Sequence, residues 1–243
     1  MTSIINFSKK NFSNKLYCFP YAGGSPAIYY PWSELLPDTI HVAAIQFPGK
    51  GSALFDEPYH TMDELVSGAY NALLVDGAFE RDYYLFGHSL GAKVVIMLTK
   101  EIFDRGGTLP KKIFLSGSAS PEEKITRTIS KGMTDDEFVS LLRDMNGTPD
   151  AVLENKELLS LCLPAIRADF MLSETFFAKA PDRALPVKAV VLYSETDNHV
   201  PTEHVYKWQK FIEPKINFIK IDGDHFFVDN NQSMVTDAIK DNL

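Results

Sequence analysis

The chain has 243 residues, 45% of them hydrophobic and 23% charged, with a formal net charge of −8. That balance excludes a disordered or fibrous chain and suits one large core. Its Lys and Arg residues are dispersed rather than clustered, which gives no footprint for nucleic acid, and no run of about 18 apolar residues offers a membrane span.

Residues 1–15 lack an apolar stretch of leader length, and Cys18 and Cys162 sit among apolar neighbours as reduced thiols do. A cytoplasmic protein with one domain over residues 1–243 is therefore expected, and a monomer. Strand-like apolar runs fall at 16–20 and 41–47. Thr61 and Glu64 then form a capping box that opens a helix with Leu65, Ala69, Ala72 and Leu73 on one face. After a third strand at 83–86, a helix is predicted over 90–105, stopped by Gly106-Gly107. A strand at 113–116 follows.

Residues 120–186 break this alternation. Thr134 and Glu137 make a second capping box ahead of Phe138, Leu141, Leu142 and Met145, and Pro164 can open a further helix. An all-helical insert between two core strands has the pattern of a lid, although ordinary packing helices would give the same signal. Strands resume at 189–193 and 218–221. Nearly continuous apolar runs indicate a parallel sheet covered on both faces, an α/β architecture.

Between the third strand and its helix lies Gly87-His88-Ser89-Leu90-Gly91. The pentapeptide alone is a weak signal, but strand before and helix after supply the context of a nucleophile elbow. A serine hydroxyl needs a base and an orienting acid. His225, after the last strand, is placed best, with His199 as its competitor. His88 is expected to pack or hydrogen-bond, while His41, His60 and His204 are expected at the surface or at element ends. Asp197 follows the 189–193 strand and is the leading acid, with Glu195, Asp222 and Asp224 as rivals. One oxyanion donor is the N–H of Leu90; another should come from residues 19–25, where Gly23-Gly24 could equally be only a flexible turn. Metal-ligand spacing, CxxC, dinucleotide and Walker signatures are missing from the sequence.

Three segments carry a resemblance. Cys18-Phe19-Pro20-Tyr21-Ala22-Gly23-Gly24-Ser25, Gly87-His88-Ser89-Leu90-Gly91-Ala92 and Gly223-Asp224-His225-Phe226-Phe227 resemble the oxyanion, elbow and base segments of type II thioesterases that accompany nonribosomal peptide and polyketide synthases. Residues 163–170, reading Leu-Pro-Ala-Ile-Arg-Ala-Asp-Phe, are similar to a stretch of their lid region. The resemblance implies an α/β-hydrolase fold with a mostly parallel central sheet covered by helices on both faces, and a helical lid insert at about 120–186. It implies Ser89, Asp197 and His225 as the catalytic set, and the N–H groups of Ala22 and Leu90 as oxyanion donors. It further implies hydrolysis of acyl thioesters on the phosphopantetheine arm of a partner carrier protein, with no cofactor held by the chain itself. Lys50-Gly51-Ser52 departs from the Arg, Glu and Arg often found there, and Gly223-Asp224 from a common Gly-Gly. A free-standing esterase or acyl-CoA hydrolase shares the same residues; a non-catalytic acyl-binding relative should lack one of the three.

Overall fold

In the computed structural model, which describes residues 1–7, 13–122, 132–145, 147–176 and 181–243, seven strands form one sheet in the order β1-β3-β2-β4-β5-β6-β7. They are β1 (Ser3–Asn6), β2 (Asn14–Phe19), β3 (Ile40–Gln46), β4 (Tyr83–His88), β5 (Lys112–Ser116), β6 (Ala189–Tyr193) and β7 (Asn217–Lys220). All neighbours pair in parallel except β1, which runs antiparallel along β3.

Alternation along these strands divides the core into two layers. Tyr17, Phe19, Leu85 and Leu115 face one layer; Leu16, Cys18, Phe86 and Phe114 face the other. The first layer is closed by α2 (Met62–Val75) and α3 (Leu90–Asp104). The second is closed by the short α1 (Trp32–Leu35) and by α9 (Gln232–Lys240), where Trp32, Val235 and Ile239 are buried. With both faces covered, β2 to β6 are apolar along most of their length, with polar residues mainly at their ends. The edge strands differ: β1 and β7 each have two exposed end residues and two half-buried central ones. For β7 this corrects the expectation of a strand covered on both faces.

Local signals set the helix boundaries. The Thr61–Glu64 box forms reciprocally, and so does the second box, where Glu137 N–H donates to Thr134 Oγ1 and Thr134 N–H to Glu137 Oε2. Helix α3 is followed by Gly106 at φ 70°.

The helical segment between β5 and β6 contains α4 (Asp135–Met145), α5 (Asp150–Leu153) and α6 (Lys156–Thr175). Residues 123–131, 146 and 177–180 of the expected 120–186 insert lie outside the described residues. Phe138, Leu142, Leu153, Leu163 and Ile166 form a small separate core. Pro164 does not open α6 but lies inside it. Asn155 starts the helix instead, its side chain accepting from the N–H groups of Glu157 and Leu158, so a sound cap two turns earlier outweighs the proline signal. The remaining short helices, α7 (Thr202–Val205) and α8 (Phe227–Asn230), follow β6 and β7. Among the described residues no helix is long and apolar enough to cross a membrane.

Candidate active site

The elbow is built by close backbone approach. A Cβ on Gly87 would collide with the carbonyl of Gly91, and one on Gly91 with the carbonyl of Phe19. Two glycines therefore let β4, α3 and the end of β2 converge. Ser89 sits between them at φ 53° and ψ −112°, the sole non-glycine residue with positive φ among those described. Its conformation is held by its N–H, which donates to the Ser116 carbonyl at 2.8 Å, and by its carbonyl, which accepts from Ala92 at 3.1 Å to start α3. A strained backbone held from both sides lifts the hydroxyl above the strand ends.

His225, in the loop after β7, reaches Ser89 Oγ with Nε2 at 3.2 Å and Asp197 Oδ2 with Nδ1 at 2.7 Å. Asp197 follows β6, and its other oxygen accepts from the N–H groups of His199 and Val200 at 2.7 and 3.1 Å. Burial alone would push this carboxyl's pKa up. The hydrogen bond and electrostatic attraction of the His225 ring, with the two N–H groups, overcome that and hold it below the usual carboxylate range. An ionised Asp197 requires the proton on Nδ1, which leaves Nε2 free to accept from the Ser89 hydroxyl.

The rival acids have other partners. Glu195 pairs with Lys220 at 2.6 Å. Asp224 accepts from Phe226 N–H at 2.9 Å, and Asp222 is exposed. His199 lies beside the base, ring centroids 5.1 Å apart, without lying between it and Ser89. His41 sits at the start of β3, an element end as expected, but is buried there rather than at the surface and is bonded to Asn6 Oδ1 at 3.0 Å.

For the oxyanion donors, Gly91 abuts the carbonyls of Phe19 and Pro20, so Leu90 at the head of α3 adjoins the segment containing Ala22. Gly23-Gly24 is more than a flexible linker, because Gly24 N–H donates to the Tyr21 carbonyl at 2.9 Å and closes a turn around Ala22. A cleft lies beside this turn, lined among others by Gly24, Gly49, Val152, Cys162 and Ile166.

Two further supports hold the site: Tyr21, which sequence reading missed, and His88, whose expected hydrogen-bonding role is borne out and whose partners were not legible. The Tyr21 hydroxyl donates to Asp229 Oδ2 at 2.7 Å, and its ring packs edge-on to Phe226, joining the oxyanion segment to the base segment. His88, fully buried, accepts from the Ser116 hydroxyl at Nδ1 (2.9 Å) and donates from Nε2 to the carbonyl of His225 (2.8 Å). It thereby fixes the backbone of the base. Burial, reinforced by the neighbouring His225, lowers its pKa from 6.5 to about 3, so it stays neutral. The unfolded chain binds a proton at His88 below pH 6.5 and the folded chain does not, so this contribution is complete above that pH and is lost as pH falls towards 3. Between pH 7 and 5 the loss should be about 2 kcal/mol, at roughly 1.4 kcal/mol per pH unit. Urea unfolding at the two pH values should show that much less pH dependence in His88→Gln; equal dependence would refute the assignment.

Comparison with known proteins gives the following. The thioesterase domain family matches residues 14–243. The gramicidin S biosynthesis protein GrsT of Aneurinibacillus migulanus is 28% identical over 88% of this chain and 82% of its own. The linear gramicidin dehydrogenase LgrE of Brevibacillus parabrevis is 31% identical over 94% and 87%. Among solved structures, ClbQ from the colibactin nonribosomal peptide and polyketide pathway superposes with a TM-score of 0.87 at 32% identity, covering 94% of this chain and 96% of that one. YbtT, a type II thioesterase from the yersiniabactin pathway, gives 0.85 at 26% identity, covering 97% and 96%.

Proposed function

This chain belongs to the thioesterase domain family, and from that premise we propose that it releases acyl groups from carrier proteins through an acyl-enzyme on Ser89. It is a hydrolase acting on thioesters, of the type II class that serves nonribosomal peptide and polyketide synthases. The observation that carries the catalytic reading is the line Asp197 Oδ2, His225, Ser89 Oγ, with gaps of 2.7 and 3.2 Å.

In this reading His225 Nε2 takes the Ser89 proton as Oγ attacks the thioester carbonyl. The N–H groups of Ala22 and Leu90 hold the oxyanion, and Asp197 stabilises the imidazolium. Collapse breaks the C–S bond, and His225 returns its proton to the departing thiolate of the phosphopantetheine arm. Water, deprotonated by His225, then attacks the acyl-serine. The free acid leaves and Ser89 recovers its proton.

The partner is an acyl- or peptidyl-carrier domain, and the task is clearing stalled or misprimed arms or releasing intermediates. The chain acts as one domain over residues 1–243, with the helical segment at about 120–186 as its lid. We assign it to the cytoplasm as a monomer, which suits the free thiols of Cys18 and Cys162. Although one relative is named a dehydrogenase, this sequence has no dinucleotide fingerprint, and its Ser, His and Asp suit acyl transfer.

Rates on one acyl group presented as acyl-carrier protein, acyl-CoA and a simple ester test the partner. The carrier-bound form should give a kcat/KM at least about tenfold higher, since contacts remote from the reacting carbon add to transition-state binding. Equal or lower kcat/KM on the carrier would point to a free-standing esterase or acyl-CoA hydrolase.

A further inference from the structure

A carboxylate on the helical segment reaches into the turn that contains Ala22. Asp169, on α6, is 3% exposed, and its Oδ2 accepts from Gly23 N–H at 2.8 Å. The same oxygen forms an ion pair with Lys50, which follows β3 and is itself 9% exposed. Three segments far apart in sequence thus meet at one charged oxygen. One turn earlier on α6, Ile166 packs against Gly23.

The consequence for Ala22 follows from peptide geometry. A trans peptide points its C=O and N–H in opposite directions. Gly24 holds the Tyr21 carbonyl, so the Ala22 N–H, in the same peptide plane, is turned away from Gly24. Gly23 turns the chain at φ 77°, and the next peptide plane is fixed by the bond from its N–H to Asp169. Both planes flanking Ala22 are therefore pinned, one by the turn itself and one by α6. Lys50 places its ammonium group on the same Asp169 oxygen, away from water, so the pair is held by a charge-assisted hydrogen bond.

We propose that Asp169 is a positioning residue for the oxyanion donor Ala22, coupling the seat of α6 to the geometry in which the oxyanion is held. This rests on the acyl-enzyme reading of Ser89 and Ala22. Displacing α6 from the sheet breaks the Gly23 and Lys50 contacts together and frees the donor's turn.

The test removes both charges and varies only the acceptor. Lys50→Met/Asp169→Asn retains an oxygen for Gly23 N–H, while Lys50→Met/Asp169→Leu keeps the volume without it. Relative to the Asn form, the Leu form should lose about ten- to a hundredfold in kcat with KM within about threefold, because the donor serves the transition state. An alkylboronic acid, which forms a tetrahedral anion on a reactive serine, should lose affinity by the same factor, with both forms still folded at the assay temperature although the Leu form melts lower for want of the acceptor. If the Leu form does not fold, Lys50→Met/Asp169→Ala takes its place in the same comparison. Equal kcat and equal boronate affinity, or a change in KM alone, would reduce Asp169 to a tie between α6 and the sheet. Absence of boronate binding in the unsubstituted protein would instead remove the Ser89 reading, and this proposal with it.

Discussion

Ser89→Ala should lower thioester hydrolysis by about 10^5-fold or more, the scale on which loss of a serine nucleophile removes covalent catalysis. The fold should survive. Alanine is smaller than serine and leaves intact the backbone bonds that hold this position, from the residue 89 N–H to Ser116 and from Ala92 to the residue 89 carbonyl. The strain at φ 53° comes from the Cβ, which alanine retains. Melting temperature and the far-ultraviolet spectrum should therefore match those of the parent. A fluorophosphonate probe should label the parent once and the variant not at all. Turnover within about a hundredfold of the parent would be more than an oxyanion site without a nucleophile supplies, and would refute the role of Ser89.

Asp197→Asn should cost about 10^4-fold in kcat, through the tautomer of the base rather than through shape. The Asn carbonyl oxygen can keep the bonds from His199 and Val200 N–H. Its NH2 group then faces His225 Nδ1, which must become an acceptor. The ring proton moves to Nε2 and points at Ser89, where it blocks proton uptake. Glu195→Gln, Asp222→Asn and Asp224→Asn touch neither ring nitrogen and should stay within about threefold of the parent, as surface changes away from the chemistry do. Steady-state rates on one thioester substrate decide the matter. A small effect at Asp197 with a large one at Asp224 would reassign the acid.

The features that sequence patterns made legible are local ones. Gly87 and Gly91 flag the elbow because close packing of β4, α3 and β2 permits no Cβ there. Both capping boxes form because their two partners lie three residues apart and need nothing from the rest of the chain. Buried strands β2 to β6 are legible because two covered faces demand nearly continuous apolar sequence in their centres. Even the meeting of Ser89, Asp197 and His225 was legible only as three strand-end loops, each with its own local signature, in an order suited to one fold.

What stayed hidden is long-range. His88 holds the carbonyl of a residue 137 positions away, Tyr21 bonds a partner 208 away, and Lys50 meets Asp169 across 119. A single polar residue carries no mark of its partner, so burial of Lys50 and Asp169 cannot be read from composition. Strand β1 was invisible for a different reason: two exposed and two half-buried residues at a sheet edge are stabilised by pairing with β3, not by their own periodicity. A proline permits a helix start without requiring one, and the cap at Asn155 sets the start of α6 well ahead of Pro164.

Intact-mass spectrometry of an acyl-loaded carrier protein incubated with this chain tests the central claim most directly. The account predicts that the carrier loses the acyl mass and returns to the free phosphopantetheine form with the parent protein, and keeps the acyl group with Ser89→Ala. An acyl mass that persists with the parent, or disappears equally fast with the variant, would contradict it.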